Sequence, residues 1–205
     1  METEIIFKDI PDKREEKNTT SYQFKRDLLN FLGDKYKDKI CLEIGAHKGY
    51  SSRILSESFK KVITCENDID YINFSKQLNK DKNNIDILQK DVYGTKWDFE
   101  NIDVVFIDCN HEINHVLSDT RNAINLCGDN QELLLIFDDY GLDNPWEGVK
   151  EAIQKYVNTP GFSILKKIGH EKGWEYRDNK FLKDREGIIC KYTKEMMWWE
   201  AQDEY

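Results

Sequence analysis

Five short apolar runs in this 205-residue chain each end in a carboxylate. The ends read Glu43-Ile44-Gly45, Cys65-Glu66-Asn67, Lys90-Asp91-Val92, Asp108-Cys109-Asn110-His111 and Asp138-Asp139-Tyr140. Plain solvated loops would not repeat that pattern five times. At the first end, Gly45 and Gly49 frame Ala46, His47 and Lys48 in a G-x-x-x-G turn that runs on into Tyr50 and Ser51. Glycine permits unusual φ angles and a close approach of backbone to a ligand. A dinucleotide site wants G-x-G-x-x-G, and Glu43 just ahead of the turn would repel a pyrophosphate. That carboxylate suits a ligand carrying a cationic amine and a sulfonium. Glu66 stands 23 residues after Glu43 and can accept both hydroxyls of a ribose. Asp91 can accept a hydrogen bond from an adenine amine. Each motif also has a plainer reading: a strand-to-helix turn, a solvated loop carboxylate, a turn aspartate ahead of Gly94.

The elements that must position these groups alternate. Strands are expected at 39–44, 61–65, 85–88, 102–107 and 132–137. Helices are expected at 50–59, 68–79, 113–126 and 146–157, where apolar residues recur at helical spacing. An earlier helix, capped by Thr20 or Ser21 and stopped at Gly33, precedes them. The runs KICLEI, IDVVFI and ELLLIF are almost continuously apolar, as strands buried on both faces are. Right-handed crossovers then build a doubly wound α/β sandwich, a Rossmann-like three-layer αβα architecture. Its ligands sit beyond the carboxyl ends of the strands, where the carboxylates fall. Runs 162–168 and 187–192 have no helix between them, so they should pair antiparallel at one edge. The organisation expected is a single domain: an arm and helix over 1–34, the main fold over 35–193 and a tail over 194–205. The polar stretch Pro11 to Thr20 reads as a mobile arm.

Composition narrows the partners. The net charge is −9, with lysines scattered and no basic stripe. Such a surface repels a phosphate backbone, so nucleic acid is a poor first guess. No run approaches the roughly 18 apolar residues that cross a membrane. The N-terminus lacks the order of a signal peptide, and the expectation is a cytoplasmic protein. The cysteines at 41, 65, 109, 127 and 190 form no C-x-x-C pair and read as free thiols, mostly buried.

The segments KICLEIGAHKGYSS, VITCEND, LQKDVYG, IDVVFIDCNHEINHVLSDTRNAINL and LLIFDDYGLDNPWEGVKEAI resemble the successive motifs of class I S-adenosylmethionine-dependent methyltransferases. Within that class they are most similar to the branch that methylates hydroxyls of sugars and small molecules, near the macrolide-sugar O-methyltransferases and the cephalosporin-hydroxylase-like proteins. The resemblance covers about residues 35 to 193. It implies a seven-stranded, mostly parallel sheet with the last strand antiparallel. It implies that Glu43, Gly45, Ala46, His47, Gly49, Tyr50 and Ser51 surround the methionine part of S-adenosylmethionine. Glu66 and Asn67 would meet the ribose, and Asp91 and Val92 the adenine. The resemblance further implies that Asp108 binds a divalent cation such as Mg²⁺, with Asp138 and Asp139 as further ligands, and that His111 acts as base. A cation held by carboxylates lowers a hydroxyl's pKa, and an imidazole can take the proton. Asp108, His111 and Asp139 are thus the catalytic candidates. The alternatives are an aspartate that only touches the cofactor and a structural, helix-capping histidine.

His115 lies one turn beyond His111. Trp146 could stack on an acceptor ring or anchor a helix start. Trp198 and Trp199 form an apolar patch suited to the core or to a homodimer contact. An N-methyltransferase would carry [DN]PP[YFW] after the fourth strand, where this chain reads DCNH. A non-catalytic S-adenosylmethionine-binding domain would not need carboxylates and a histidine at the reaction end. A nicotinamide-dependent oxidoreductase is disfavoured by the absent third glycine and by Glu43.

Overall fold

The computed structural model describes residues 7, 9–16, 18–128, 131–142 and 148–194. The sequence's alternation of apolar residues decides its layers. In strands β1 (Ile40–Ile44), β4 (Val104–Ile107) and β5 (Glu132–Phe137), successive side chains point to opposite faces. Leu42, Ile44, Val105, Ile107, Leu133 and Leu135 enter one core; Cys41, Val104, Phe106, Leu134 and Ile136 enter the other. Both faces are therefore dry, which only a sheet covered on both sides permits.

With β2 (Lys61–Glu66), β3 (Ile85–Gln89), β6 (Phe162–Ile168) and β9 (Gly187–Thr193), these strands form a seven-stranded sheet in the order β3-β2-β1-β4-β5-β9-β6. Strands β1 to β5 pair in parallel. Strand β9 runs antiparallel between β5 and β6. The two late strands thus pair antiparallel at one edge, with β6 outermost. A two-stranded hairpin, β7 (Glu175–Arg177) and β8 (Lys180–Phe181), fills the connection between them.

Helix α1 (Tyr22–Leu32) lays Phe24, Leu28 and Leu32, spaced by four, on one face of the sheet. The Ser21 hydroxyl caps it by accepting from Phe24 N at 3.0 Å, and Gly33 ends it. Helices α2 (Tyr50–Ser56) and α3 (Ile69–Leu78) follow β1 and β2. Asp68 caps α3 by accepting from Asp70 N and Tyr71 N. Helices α4 (Ile113–Asn125) and α5 (Val149–Tyr156) cover the other face through Val116, Ala123, Ala152 and Ile153. No helix among the described residues is long and apolar enough to cross a membrane.

One expectation is corrected. The stretch Pro11 to Thr20 is not a loose arm in its described part but is tied to α1, to the β7–β8 hairpin and to the end of β5. Asp12 Oδ2 accepts from Tyr22 N at 2.7 Å, and the Tyr22 hydroxyl donates to Ile10 O at 2.8 Å. The buried Lys25 ammonium donates to Pro11 O, Thr19 Oγ1 and Thr20 O. Arg14 donates twice to Glu175 O and lies 4.8 Å above the Trp174 ring. A polar segment can be ordered this way when its partners come from distant parts of the chain, which composition does not reveal.

Candidate active site

Strand β1 continues into α2 on one side of the sheet, and its other neighbour, β4, comes after two further crossovers. The order reverses there, and a crevice opens beyond the carboxyl ends of the strands. A cavity of about 350 Å³ occupies it. Gly45, Ala46, His47, Tyr50, Ser51 and Glu66 line one side; Asp108, His111, Asp138 and Asp139 line the other.

The turn after β1 is held by backbone and by one carboxylate. Gly45 N and Ala46 N donate to Cys65 O at 3.1 and 3.2 Å. Glu66 accepts from His47 N with one oxygen and from Asn67 N and Asp68 N with the other, at 2.8 to 2.9 Å. Its carboxylate therefore ties the loop after β1 to the loop after β2 while still facing the cavity. His47 contributes its backbone with φ 46°, and its ring contacts Tyr71 and Asn18.

Several of the expected residues are not in the lining of this cavity. Glu43 is fully buried beneath the turn and does not line the cavity. Its Oε2 accepts from the Ser52 hydroxyl, which ties it to the start of α2. Burial pushes its pKa up, against the bond from Ser52. Gly49 is the N-cap of α2, with φ 76°. Asp91 is exposed and accepts from Tyr93 N, while Val92 is buried with its carbonyl on the Trp97 indole N–H. Neither lines the cavity. His115 stacks on Tyr93 with ring centroids 4.1 Å apart, away from the cavity wall. Trp146, Trp198 and Trp199 lie outside the described residues.

At the reaction end an imidazole sits between two carboxylates. His111 Nδ1 is 3.1 Å from Asp139 Oδ2, and Nε2 is 3.4 Å from Asp108 Oδ1. Nε2 is buried without a well-aligned hydrogen-bond partner. The loops carrying these groups are joined where Gly148 N donates to His111 O at 2.6 Å. Burial pulls the His111 pKa down, but Asp139 and Asp108 outweigh it and raise it to about 9. Asp139 itself has φ 55°, a left-handed conformation uncommon outside glycine.

The residue that sequence reasoning missed is Lys13. Its ammonium, carried in by the arm, is buried at 2.5 Å from Asp139 Oδ1 and 3.2 Å from Asp138 Oδ2. Glu186 Oε1 is 3.9 Å away. Burial would lower the Lys13 pKa, but these three carboxylates overcome it and raise it. Burial and the neighbouring Asp139 push Asp138 up. Burial acts the same way on Asp139, but Lys13 and His111 outweigh it and hold that carboxylate below its usual range. Nothing in the string DKREEK distinguishes Lys13 from the chain's other scattered lysines.

Among the described residues, Asp108, His111 and Asp139 form one group whose ligand atoms lie within 4.8 Å of one another. A hard divalent cation wants several free oxygen ligands. Here one oxygen of Asp139 faces the Lys13 ammonium and the other faces His111, and the second oxygen of Asp138 also faces Lys13. With Lys13 in place, Asp139 has neither oxygen free for a divalent cation, which leaves only Asp108 and the buried, unpartnered Oδ1 of Asp138 from the expected set.

The strand order, the switch-point cavity and the two lining loops are those of the Rossmann-like fold that class I S-adenosylmethionine-dependent methyltransferases have. Residues 42–140 match the family model described as a methyltransferase domain, which spans β1 to the end of β5 and includes every strand-end carboxylate discussed above. No curated protein matches the chain by sequence. Among solved structures, the fold is similar to an O-methyltransferase from Bacillus cereus in complex with SAH. That match has 16% identity and a TM-score of 0.63, covering 94% of this chain and 90% of the other. An S-adenosylmethionine-dependent O-methyltransferase from Thermotoga maritima matches at 12% identity and a TM-score of 0.61, covering 90% and 72%. An rRNA methylase from Streptococcus thermophilus matches at 12% identity and a TM-score of 0.57, covering 87% and 100%. At such identities these likenesses speak for the fold, and their acceptors differ.

Proposed function

We propose that this methyltransferase transfers the methyl group to a hydroxyl of a sugar or another small molecule. The observation that carries this reading is His111, a residue of the cavity wall held by Asp139 through Nδ1, with Nε2 3.4 Å from Asp108. A base oriented by a carboxylate is what a hydroxyl acceptor needs, because an alcohol is a poor nucleophile until its proton leaves. In the step proposed, the acceptor oxygen attacks the methyl carbon and the O–CH₃ bond forms as the S–CH₃ bond breaks. Sulfur keeps the electron pair and loses its positive charge, and the hydroxyl proton passes to neutral His111 Nε2. The Gly45–Ser51 turn would hold the methionine part and Glu66 the ribose.

Charge supports a small acceptor over a nucleic acid. Glu66, Asp108, Asp138 and Asp139 line the cavity in a chain of net charge −9, which disfavours a polyanion. The test uses methyl-labelled S-adenosylmethionine with panels of monosaccharides, phenols, amines and a structured RNA. Label appearing on a hydroxyl compound, and lost in His111→Ala, is the expected result. Transfer only to an amine or to RNA would overturn the reading.

A further inference from the structure

We infer that Lys13 is the resident cation of the reaction end: its ammonium holds the place on Asp138 and Asp139 that a divalent cation would need, so the docked arm and such a cation exclude each other. The inference takes this pocket as the reaction site. It does not depend on the acceptor, and its test reads cation binding rather than turnover.

Three observations carry it. The first is position. Lys13 lines the same cavity as Asp108 and His111, and its Nζ contacts both members of the Asp138–Asp139 pair from 125 and 126 residues away in sequence. The second is burial. A lysine taken wholly out of water is tolerated only when well paired, and Lys13 meets carboxylates on three sides. It is therefore not a surface side chain that happens to reach an acidic patch.

The third is that the backbone on both sides of Lys13 is fixed independently of the carboxylates. Asp12 is bound to Tyr22 N at the start of α1, and Arg14 to Glu175 O and the Trp174 face on the β7–β8 hairpin. Arg177 donates to the carbonyl of Lys13 itself at 3.2 Å. Farther along, Glu16 pairs with Lys48 in the turn after β1 at 2.7 Å. The arm thus delivers an ammonium to one place, bridging the cofactor loop and the late hairpin. A divalent cation at Asp139 would lie against that ammonium. Like charges at such range repel strongly where water is excluded. A cation can enter only if the arm lifts.

Calorimetric titration of Mn²⁺ into the full chain saturated with S-adenosylhomocysteine tests this, comparing wild type, Lys13→Met, Lys13→Arg and Arg14→Ala. Lys13→Met should bind Mn²⁺ at least about tenfold more tightly than wild type, since one close like charge is removed. Lys13→Arg should retain the wild-type weakness, a result that loss of packing alone would not give. Arg14→Ala leaves every carboxylate intact and loosens the arm, so it should shift affinity in the same direction as Lys13→Met but less. Should Lys13→Met misfold, Arg14→Ala carries the test. Wild type binding Mn²⁺ as tightly as Lys13→Met, or as Arg14→Ala where Lys13→Met misfolds, would overturn the inference.

Discussion

A Cβ built on Gly45 would lie 2.1 Å from the carbonyl oxygen of Asp108, and 2.7 and 2.9 Å from the next two backbone atoms. The loop after β1 and the loop after β4 are therefore in backbone contact at the point where the strand order reverses. No side chain can stand between them, and backbone cannot swing aside as a long side chain can. With φ 89°, Gly45 is also in a region that other residues avoid. Gly45→Ala should force the two loops apart and weaken S-adenosylhomocysteine binding by roughly tenfold or more, the scale of 1–3 kcal/mol of local strain. Calorimetry on wild type and variant measures this; equal affinity would show that the two loops separate freely.

Glu66 joins the same loop to its neighbour by accepting three backbone N–H groups. Hydrogen bonds to a charged group contribute about 1.5–3 kcal/mol each, so the loop depends on the carboxylate even before a ligand arrives. Glu66→Ala should lower cofactor affinity roughly tenfold to a hundredfold. Glu66→Gln should fall between the two, because its amide nitrogen cannot accept. An affinity for Glu66→Gln equal to wild type would remove the carboxylate from the site's design.

How much of this was legible depended on whether the signal was local. KICLEI, IDVVFI and ELLLIF announce strands with two dry faces, and Ser21, Asp68 and Gly33 mark helix ends where they fall. Glu66, Asp108, His111 and Asp139 were findable because strand ends in such sheets converge. Glu43 sits one residue before the strand's last residue, and the pleat turns its side chain away from the cavity and toward Ser52. Asp91 follows the edge-side strand β3, beyond the cavity wall. Lys13 was not legible at all. Its partners are more than a hundred residues away, and a lysine in a charged stretch carries no pattern that separates it from a solvated one.

Asp119 is a buried carboxyl on α4, only 4% exposed, and burial raises its pKa to about 7. In the unfolded chain it titrates near 3.8. Below that value it is neutral in both states and costs nothing. As pH rises from about 3.8 to about 7, the unfolded chain ionises this group while the folded protein keeps it protonated, so stability is lost across that window and stays lower above it. Asp119→Asn is neutral throughout. It should gain on wild type in urea midpoint as pH goes from 5 to 8. A gap that is the same at both pH values would contradict the burial account.

His111 gives the last prediction, with two readouts of one proton. Held between Asp139 and Asp108, it keeps its proton up to about pH 9 in the folded state, against about 6.5 for a free imidazole. As a base it acts only when neutral, so kcat/KM for a hydroxyl acceptor should climb with pH and level off above about 9. For stability the sign is opposite. A raised folded pKa means the charged imidazole stabilises the fold fully below about 6.5, and that contribution fades as pH rises through about 9. Wild type should therefore lose Tm between pH 7 and pH 9.5 where its activity is rising, and His111→Gln should show neither the activity limb nor that part of the Tm loss. An activity profile flat from pH 6 to 9, with the Tm change intact, would leave His111 a structural imidazolium and move the base elsewhere in the cavity.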